Sequence, residues 1–260
     1  MPTLSRRHPA AIALLLLLGL LVTGTAYSAV APQDAQATVA NADNVEQGKK
    51  LFTANCANCH GANGLGVENA GPSLAGVGAA AVDFQMGTGR MPMAAPDVQA
   101  PGNIRVKFSE EEISDIGAYV ATLGAGPAVP SEELTDGSKG DPGAGGEIFR
   151  VNCAMCHSSA GAGGALTRGK SAPPVMGVSG KHIYEAMVTG PQSMPVFNDT
   201  NLDPEDKRDV IAYIQAQEEA GNPGGNPLGG YGPVPEGLFI WTIGLGLLVA
   251  AAVWLGQKSA

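Results

Sequence analysis

Cys56-Ala57-Asn58-Cys59-His60 and Cys153-Ala154-Met155-Cys156-His157 decide the fold of this chain, because together they contain all of its cysteines. Each cysteine pair is followed directly by a histidine. Two thiols three positions apart lie on one helical turn, where both can form thioether bonds to one porphyrin while the next residue presents its imidazole to the iron. The repeated pentapeptide therefore predicts two covalently bound haems c.

Cysteine pairs also serve as zinc ligands or as dithiol redox centres. A four-cysteine zinc site does not require a histidine after each pair, and a thioredoxin-like centre requires a strand-helix-strand pattern that this sequence lacks. Haem attachment is therefore the preferred interpretation, with zinc or disulfide chemistry as the alternatives.

The sequence around the two pentapeptides is duplicated. A glycine eight residues and a phenylalanine four residues before the first cysteine recur as Gly48 and Phe52, and as Gly145 and Phe149. Each copy also ends in an Ala-Tyr segment of helical character, which contains Tyr119 or Tyr213. We expect a helix before each motif to cross the closing helix of its copy, with the glycine allowing close backbone approach.

Start signals support both closing helices. Ser109 followed by Glu112 is typical of a capping box. Asp203-Pro204 is a cap followed by proline in the first turn.

Apolar segments lie at both ends of the chain. The run from Pro9 to Val30 follows two arginines and is typical of an export signal or a membrane anchor. The run from Gly237 to Gly256 contains no charge over about 20 residues, the length of a membrane-spanning helix. The predicted order is signal or N-terminal anchor 1–31, linker 32–43, first domain 44–124, linker 125–143, second domain 144–220, Gly/Pro linker 221–236 and transmembrane helix 237–256.

The charge pattern excludes some partners and suggests an orientation. A net charge of −9 argues against nucleic acid and anionic lipid surfaces as partners. Basic residues near both chain ends favour a cytoplasmic location for both termini. We therefore expect a cell-membrane protein with its haem domains on the extracytoplasmic side.

The motifs resemble class I cytochrome c over nearly the whole of each copy. The shared features are Gly-x-x-x-Phe, Cys-x-x-Cys-His, Gly71-Pro72-Ser73-Leu74, a later Met-Pro and a final helix with Ala-Tyr. The resemblance implies an all-α fold of two tandem class I cytochrome c domains, with the C-terminal transmembrane helix and the N-terminal hydrophobic segment added. It also implies that the carbonyl of Pro72 accepts the imidazole N–H of His60, and that Pro173 is the counterpart for His157.

Each iron needs a second axial ligand besides His60 or His157. Met91-Pro92 and Met194-Pro195 occupy matching places before the closing helices, and a thioether ligand raises the reduction potential. We therefore expect Met91 and Met194 to be iron ligands. Met93 could compete with Met91 for the first iron, and His182 could serve the second. Core packing is the interpretation of Met86, Met155 and Met187.

The whole architecture resembles the dihaem cytochrome cc subunit of the actinobacterial cytochrome bcc complex. That resemblance implies an electron-transfer subunit of a respiratory quinol:cytochrome c oxidoreductase, a translocase complex, with no bond-making chemistry of its own. The implied partners are a cytochrome b subunit, a Rieske iron-sulfur subunit and a terminal cytochrome oxidase. The alternatives are a free-standing membrane-anchored dihaem carrier and a dihaem peroxidase or dehydrogenase subunit, which would need an iron with an open ligand position.

Overall fold

The computed structural model describes residues 9–30, 42–102, 105–222, 224, 228 and 233–258. The chain divides into a unit Met1–Val39 and a unit Ala40–Ala260. The linker expected at 32–43 lies outside the described residues apart from its last two positions, and the Gly/Pro linker is described only at isolated positions before residue 233.

Helices dominate both copies of the repeat, which confirms the predicted all-α class. The first copy contains α2 (Ala42–Asn55), α3 (Ala57–His60), α4 (Gly78–Gly87) and α5 (Glu110–Ala121). The second contains α6 (Glu132–Thr135), a 3-10 turn (Gly137–Lys139), α7 (Pro142–Asn152), α8 (Ala154–His157), α9 (Gly180–Thr189) and α10 (Pro204–Ala220). A short antiparallel hairpin, β1 (Gly164–Ala165) and β2 (Ser171–Ala172), lies in the loop after α8.

The predicted helix crossing is present in both copies. Helix α2 packs on α5, and α7 packs on α10. A Cβ atom added to Gly48 would lie 1.8 Å from the carbonyl oxygen of Asp115, and one added to Gly145 would lie 1.9 Å from that of Asp209. No side chain fits in such a gap, so only glycine permits this approach.

Aromatic pairs fill the two crossings. The ring centroids of Phe52 and Tyr119 are 5.2 Å apart, and those of Phe149 and Tyr213 are 5.3 Å apart. Tilted pairs at this distance contribute more than their buried area alone. The two cores are therefore built on the same plan, as the duplication predicts.

Capping contacts fix where the closing helices begin. The Ser109 hydroxyl accepts the backbone N–H of Glu112 at 3.2 Å, and the Glu112 carboxylate accepts the backbone N–H of Ser109 at 2.8 Å. Asp203 and Asp206 form the same reciprocal pair at the start of α10, with Pro204 in the first turn. Both predicted helix starts are confirmed.

Apolar helices occupy both ends of the described chain. Helix α1 (Pro9–Val30) forms the N-terminal segment. At the other end α11 (Pro233–Phe239), a π-helical turn (Ile240–Gly244) and α12 (Leu245–Lys258) follow without interruption. The stretch Val234–Gln257 is long and apolar enough to cross a membrane, and none of its apolar window is buried within the described part of the chain.

Candidate functional site

Both pentapeptides form the same tight turn after a helix. The backbone N–H of Cys59 donates to the carbonyl of Cys56 at 3.1 Å, and that of His60 donates to the same carbonyl at 2.9 Å. The second copy repeats these bonds at 3.1 Å and 2.9 Å around the carbonyl of Cys153. This turn keeps each thiol pair and its histidine within one helical turn, as thioether attachment and iron ligation require.

The two histidines are oriented by backbone carbonyls. His60 Nδ1 lies 2.8 Å from the carbonyl oxygen of Pro72, and His157 Nδ1 lies 2.8 Å from that of Pro173. Since a carbonyl oxygen only accepts, each Nδ1 carries the proton and donates it. Each Nε2 is left with a free lone pair, and this nitrogen is the atom that a metal would bind.

The second copy encloses a cavity of about 520 Å³ around its pentapeptide. Its walls are mostly apolar, and its lining includes Cys153, Cys156, His157, Pro173 and Met194. The thiol pair and the imidazole therefore open into the same space as the methionine sulfur. A flat, largely apolar macrocycle that binds sulfur and nitrogen through its iron fits these walls.

In the first copy, Met91 and Met93 have different surroundings. Met91 packs against the core cluster that also receives Cys56 and Leu74. Met93 lines a separate cavity of about 350 Å³ together with Pro92 and Lys107. The structure thus brings Met91, and not Met93, to the core beside the first thiol pair.

The three methionines expected to pack in the cores differ in their exposure. Met86 and Met187 lie in the cores of the first and second copies, as expected. Met155 is 90% exposed, so its assignment to core packing is wrong. Residue 155 stands between the two cysteines of its pentapeptide and, although exposed, is among the residues that line the second cavity.

Burial shifts the titration of the site residues. Burial, with a smaller contribution from the neighbouring cysteine, raises the pKa of the Cys56 and Cys153 thiols to about 11. Burial lowers the pKa of His157, although the hydrogen bond to Pro173 opposes this shift. A dithiol redox centre needs a lowered thiol pKa, so the site does not resemble one.

A contact between the two copies was not foreseen from the sequence. Helix α4 packs on α9, and Lys181 Nζ lies 2.7 Å from Asp83 Oδ2 across this contact. His182 Nε2 lies 3.7 Å from Asp83 Oδ2 and 4.0 Å from Glu185 Oε2. His182 also lines the second cavity, with this ring nitrogen turned towards the carboxylates.

The carboxyl group of Glu185 is fully buried in this contact, and its oxygens have no hydrogen-bond partner among the described residues. Burial and the adjacent Asp83 carboxylate raise the pKa of Glu185 far above its usual range. Burial also acts to raise the pKa of Asp83, but contacts with His182 and Lys181 outweigh it and lower that pKa. The contact therefore holds one neutral and one ionised carboxyl group.

A second contact joins the copies beside the cavity. Gln99 Nε2 donates to the carbonyl of Ser171 at 2.8 Å, and the backbone N–H of Ser171 donates to Gln99 Oε1 at 2.8 Å. The cavity of the second copy is accordingly lined in part by the first copy, through Phe84, Thr88, Arg90, Gln99 and Gly102. Neither the length of the loop nor its composition indicates this pairing.

Both copies match known protein families. Residues 45–124 match the family described as Cytochrome c, and residues 140–214 match the family described as Cytochrome C oxidase, cbb3-type, subunit III. The chain is 45% identical over 252 residues to the cytochrome bc1 complex cytochrome c subunit of Mycobacterium tuberculosis strain H37Rv, covering 94% of this chain and 90% of the relative. It is 43% identical over 270 residues to the protein of the same name from Corynebacterium efficiens, covering 97% and 90%.

Proposed function

Because this chain belongs to the family of cytochrome bc1 complex cytochrome c subunits, we propose that it binds two haems c and conducts electrons from a Rieske iron-sulfur subunit towards a terminal oxidase. It is a subunit of an electron-transfer complex, and its two cytochrome c domains imply haem c. The observation that carries the proposal is the duplicated turn in which a thiol pair and a carbonyl-oriented histidine lie together.

The proposed domains are 44–124 and 144–220, each with one haem. A bound haem supplies a one-electron iron couple. The chain's own residues hold it: Cys56 and Cys59 in the first domain, and Cys153 and Cys156 in the second, are the proposed thioether sites. The carbonyls of Pro72 and Pro173 keep the Nδ1 protons in place, which makes each Nε2 a better donor to metal.

Methionine sulfur completes the proposed coordination. Met194 lines the same cavity as His157, and Met91 packs on the same core cluster as Cys56, which supports His157 with Met194 and His60 with Met91 as the residues that would hold the two irons. An iron held by both residues of its pair would have no open position, which disfavours peroxidase chemistry. Apolar walls exclude water and favour the reduced, less charged state.

The C-terminal helix supports a membrane location. Val234–Gln257 is the candidate membrane anchor of a bc1 complex subunit. We propose that both haem domains lie outside the cytoplasm and that residue 260 lies inside. There the domains would meet the cytochrome b and iron-sulfur subunits of the complex.

Haem stoichiometry tests this proposal. The full chain, purified in mild detergent, is expected to contain two haems that acidified acetone does not extract. Replacement of both Cys153 and Cys156 by alanine should leave one covalent haem, and the same change at Cys56 and Cys59 should leave the other. One haem per wild-type chain, or haem that acidified acetone removes, would contradict the proposal.

Companion subunits are tested separately. Gentle detergent extraction should recover the chain together with a cytochrome b and an iron-sulfur protein. Recovery of the chain alone, with both haems attached, would instead support a free-standing carrier.

A further inference from the structure

The cavity of the second domain has a charge pattern that suits one edge of a haem. Haem c is apolar over its ring but carries two propionate carboxylates on one edge. Among the described residues that line this cavity, the permanently cationic side chains are Arg90 and Lys170, and no aspartate or glutamate is present. The carboxylate edge is therefore expected to face these two cations.

Arg90 reaches this cavity from the first domain. Its guanidinium carbon lies 4.8 Å from the centre of the Phe84 ring. On another side, a Cβ atom added to Gly102 would come within 3.0 Å of an Arg90 terminal nitrogen. Phe84 and Gly102 both line the cavity, so the guanidinium is held at its rim by a ring and by a stretch of backbone without a side chain.

Among the described residues, no carboxylate lies within ion-pair distance of the Arg90 guanidinium, although Asp97 lines the cavity of Met93 together with Arg90. The guanidinium is half-buried, and among the described residues it makes no ion pair or hydrogen bond. Its five N–H donors would form paired hydrogen bonds with a planar carboxylate. A half-buried cation without a counter-ion is costly, whereas the same cation beside a carboxylate is stabilising.

The neighbouring contacts keep the first domain against the rim. The two hydrogen bonds between Gln99 and Ser171 join the domains beside the cavity. The adjacent Lys170 donates to Ser193 Oγ at 2.9 Å and so belongs to the same rim. Cationic, amide and hydroxyl groups thus line a cavity whose walls are otherwise mostly apolar.

We propose that Arg90 of the first domain is the counter-ion of a propionate of the haem in the second domain. The second site is then completed by the first domain, and the two haem domains operate as one body. Because Arg90 directly precedes Met91, one short segment holds the first iron's proposed ligand and also neutralises a charge on the second haem. This inference rests on the proposed function.

The reduction potential of the second haem measures this contact. A carboxylate without its counter-ion stabilises the ferric state, so Arg90→Gln should lower that potential. We expect about a tenfold change in the reduction equilibrium, which is about 59 mV for a one-electron couple. Arg90→Lys keeps the charge and should retain most of the wild-type potential.

The experiment is a spectroelectrochemical titration of the full chain within its purified complex. The couple of the second haem is identified beforehand as the one that moves in Met194→His. Arg150→Gln is the matched control, because this substitution removes the same charge. Arg150 is exposed in the second domain and does not line the cavity. The expected result is a shift of the second couple in Arg90→Gln alone.

Several outcomes would overturn the inference: an unmoved second couple, a shift of the first couple only, or an equal shift in Arg150→Gln. If Arg90→Gln does not accumulate, the redox-induced infrared difference spectrum of Arg90→Lys decides instead. There the carboxylate stretching bands should move relative to wild type, and unchanged bands would refute the contact. A wild-type chain with fewer than two haems would instead show that the proposed function fails.

Discussion

Three glycines on α7 allow the packing argument to be tested within one helix. Replacement by alanine removes the same backbone freedom at each position and favours the helix by up to about 1 kcal/mol. What differs is the space available. A Cβ atom would lie 1.9 Å from the backbone oxygen of Asp209 at Gly145, 3.0 Å from the Tyr213 ring at Gly146, and 3.1 Å from the Asp141 side chain at Gly143.

The expected order of stability follows from these distances. At Gly145 the obstacle is backbone, so α7 and α10 must separate by more than about 1 Å. Overpacking of this kind costs about 1 to 3 kcal/mol or more, which exceeds the gain in helix propensity. Gly143→Ala should change the stability least, because a small shift of the Asp141 side chain relieves the contact while that side chain still caps the helix. The stability of Gly146→Ala should lie between the stabilities of the other two variants.

Thermal unfolding of the full chain in detergent measures the effect, followed through the absorption band of methionine-ligated ferric haem. Because α7 leads directly to the second thiol pair, Gly145→Ala should weaken the second domain and leave the first unaffected. Gly48→Ala should weaken the first domain and leave the second unaffected. If Gly145→Ala and Gly143→Ala unfold at the same temperature, the close crossing of α7 and α10 is refuted.

Three further changes test the ligands, the domain contact and a helix cap. Met194→Ala should abolish the red absorption of sulfur-bound ferric haem in one domain, while Met155→Ala, at an exposed position, should leave it unchanged. Glu185 stays protonated in the folded protein but ionises near pH 4.5 in the unfolded chain. Above that pH the unfolded state therefore binds fewer protons, so the free energy of unfolding should fall as the pH rises. Chemical denaturation should show that Glu185→Gln removes this fall, and a persistent fall would contradict the burial argument. In the same assay Ser109→Ala should lower the free energy of unfolding by about 1 kcal/mol. Ser131→Ala, at a helix start without a side-chain cap bond, should lower it little. Equal losses in the two variants would count against the capping box.

The contact between the domains bears on electron transfer. Helices α4 and α9 carry the Asp83–Lys181 pair, and Gln99 is bonded to Ser171. Both contacts lie beside the second cavity. Fixing the domains against each other keeps the distance between the proposed haems constant, and electron transfer depends steeply on distance.

The sequence by itself determined the repeated local features. Thiol pairs and capping residues act over one or two helical turns, so their spacing alone specifies their geometry. The same holds for the uncharged stretch 237–256, since its length and composition suffice for a membrane-spanning helix. The family resemblance added the carbonyls of Pro72 and Pro173, which local spacing does not dictate.

Only the tertiary structure decided what depends on distant parts of the chain. Helix α4 is apolar on most of its surface and shows no clear periodicity, so neither its presence nor its contact with α9 was predicted. The exposure of Met155, the separation of Met91 from Met93 and the place of Arg90 at the second cavity likewise appear only in the tertiary structure. Such contacts join residues some 70 to 100 positions apart, and the chain encodes them through the shape of whole surfaces rather than through any local pattern.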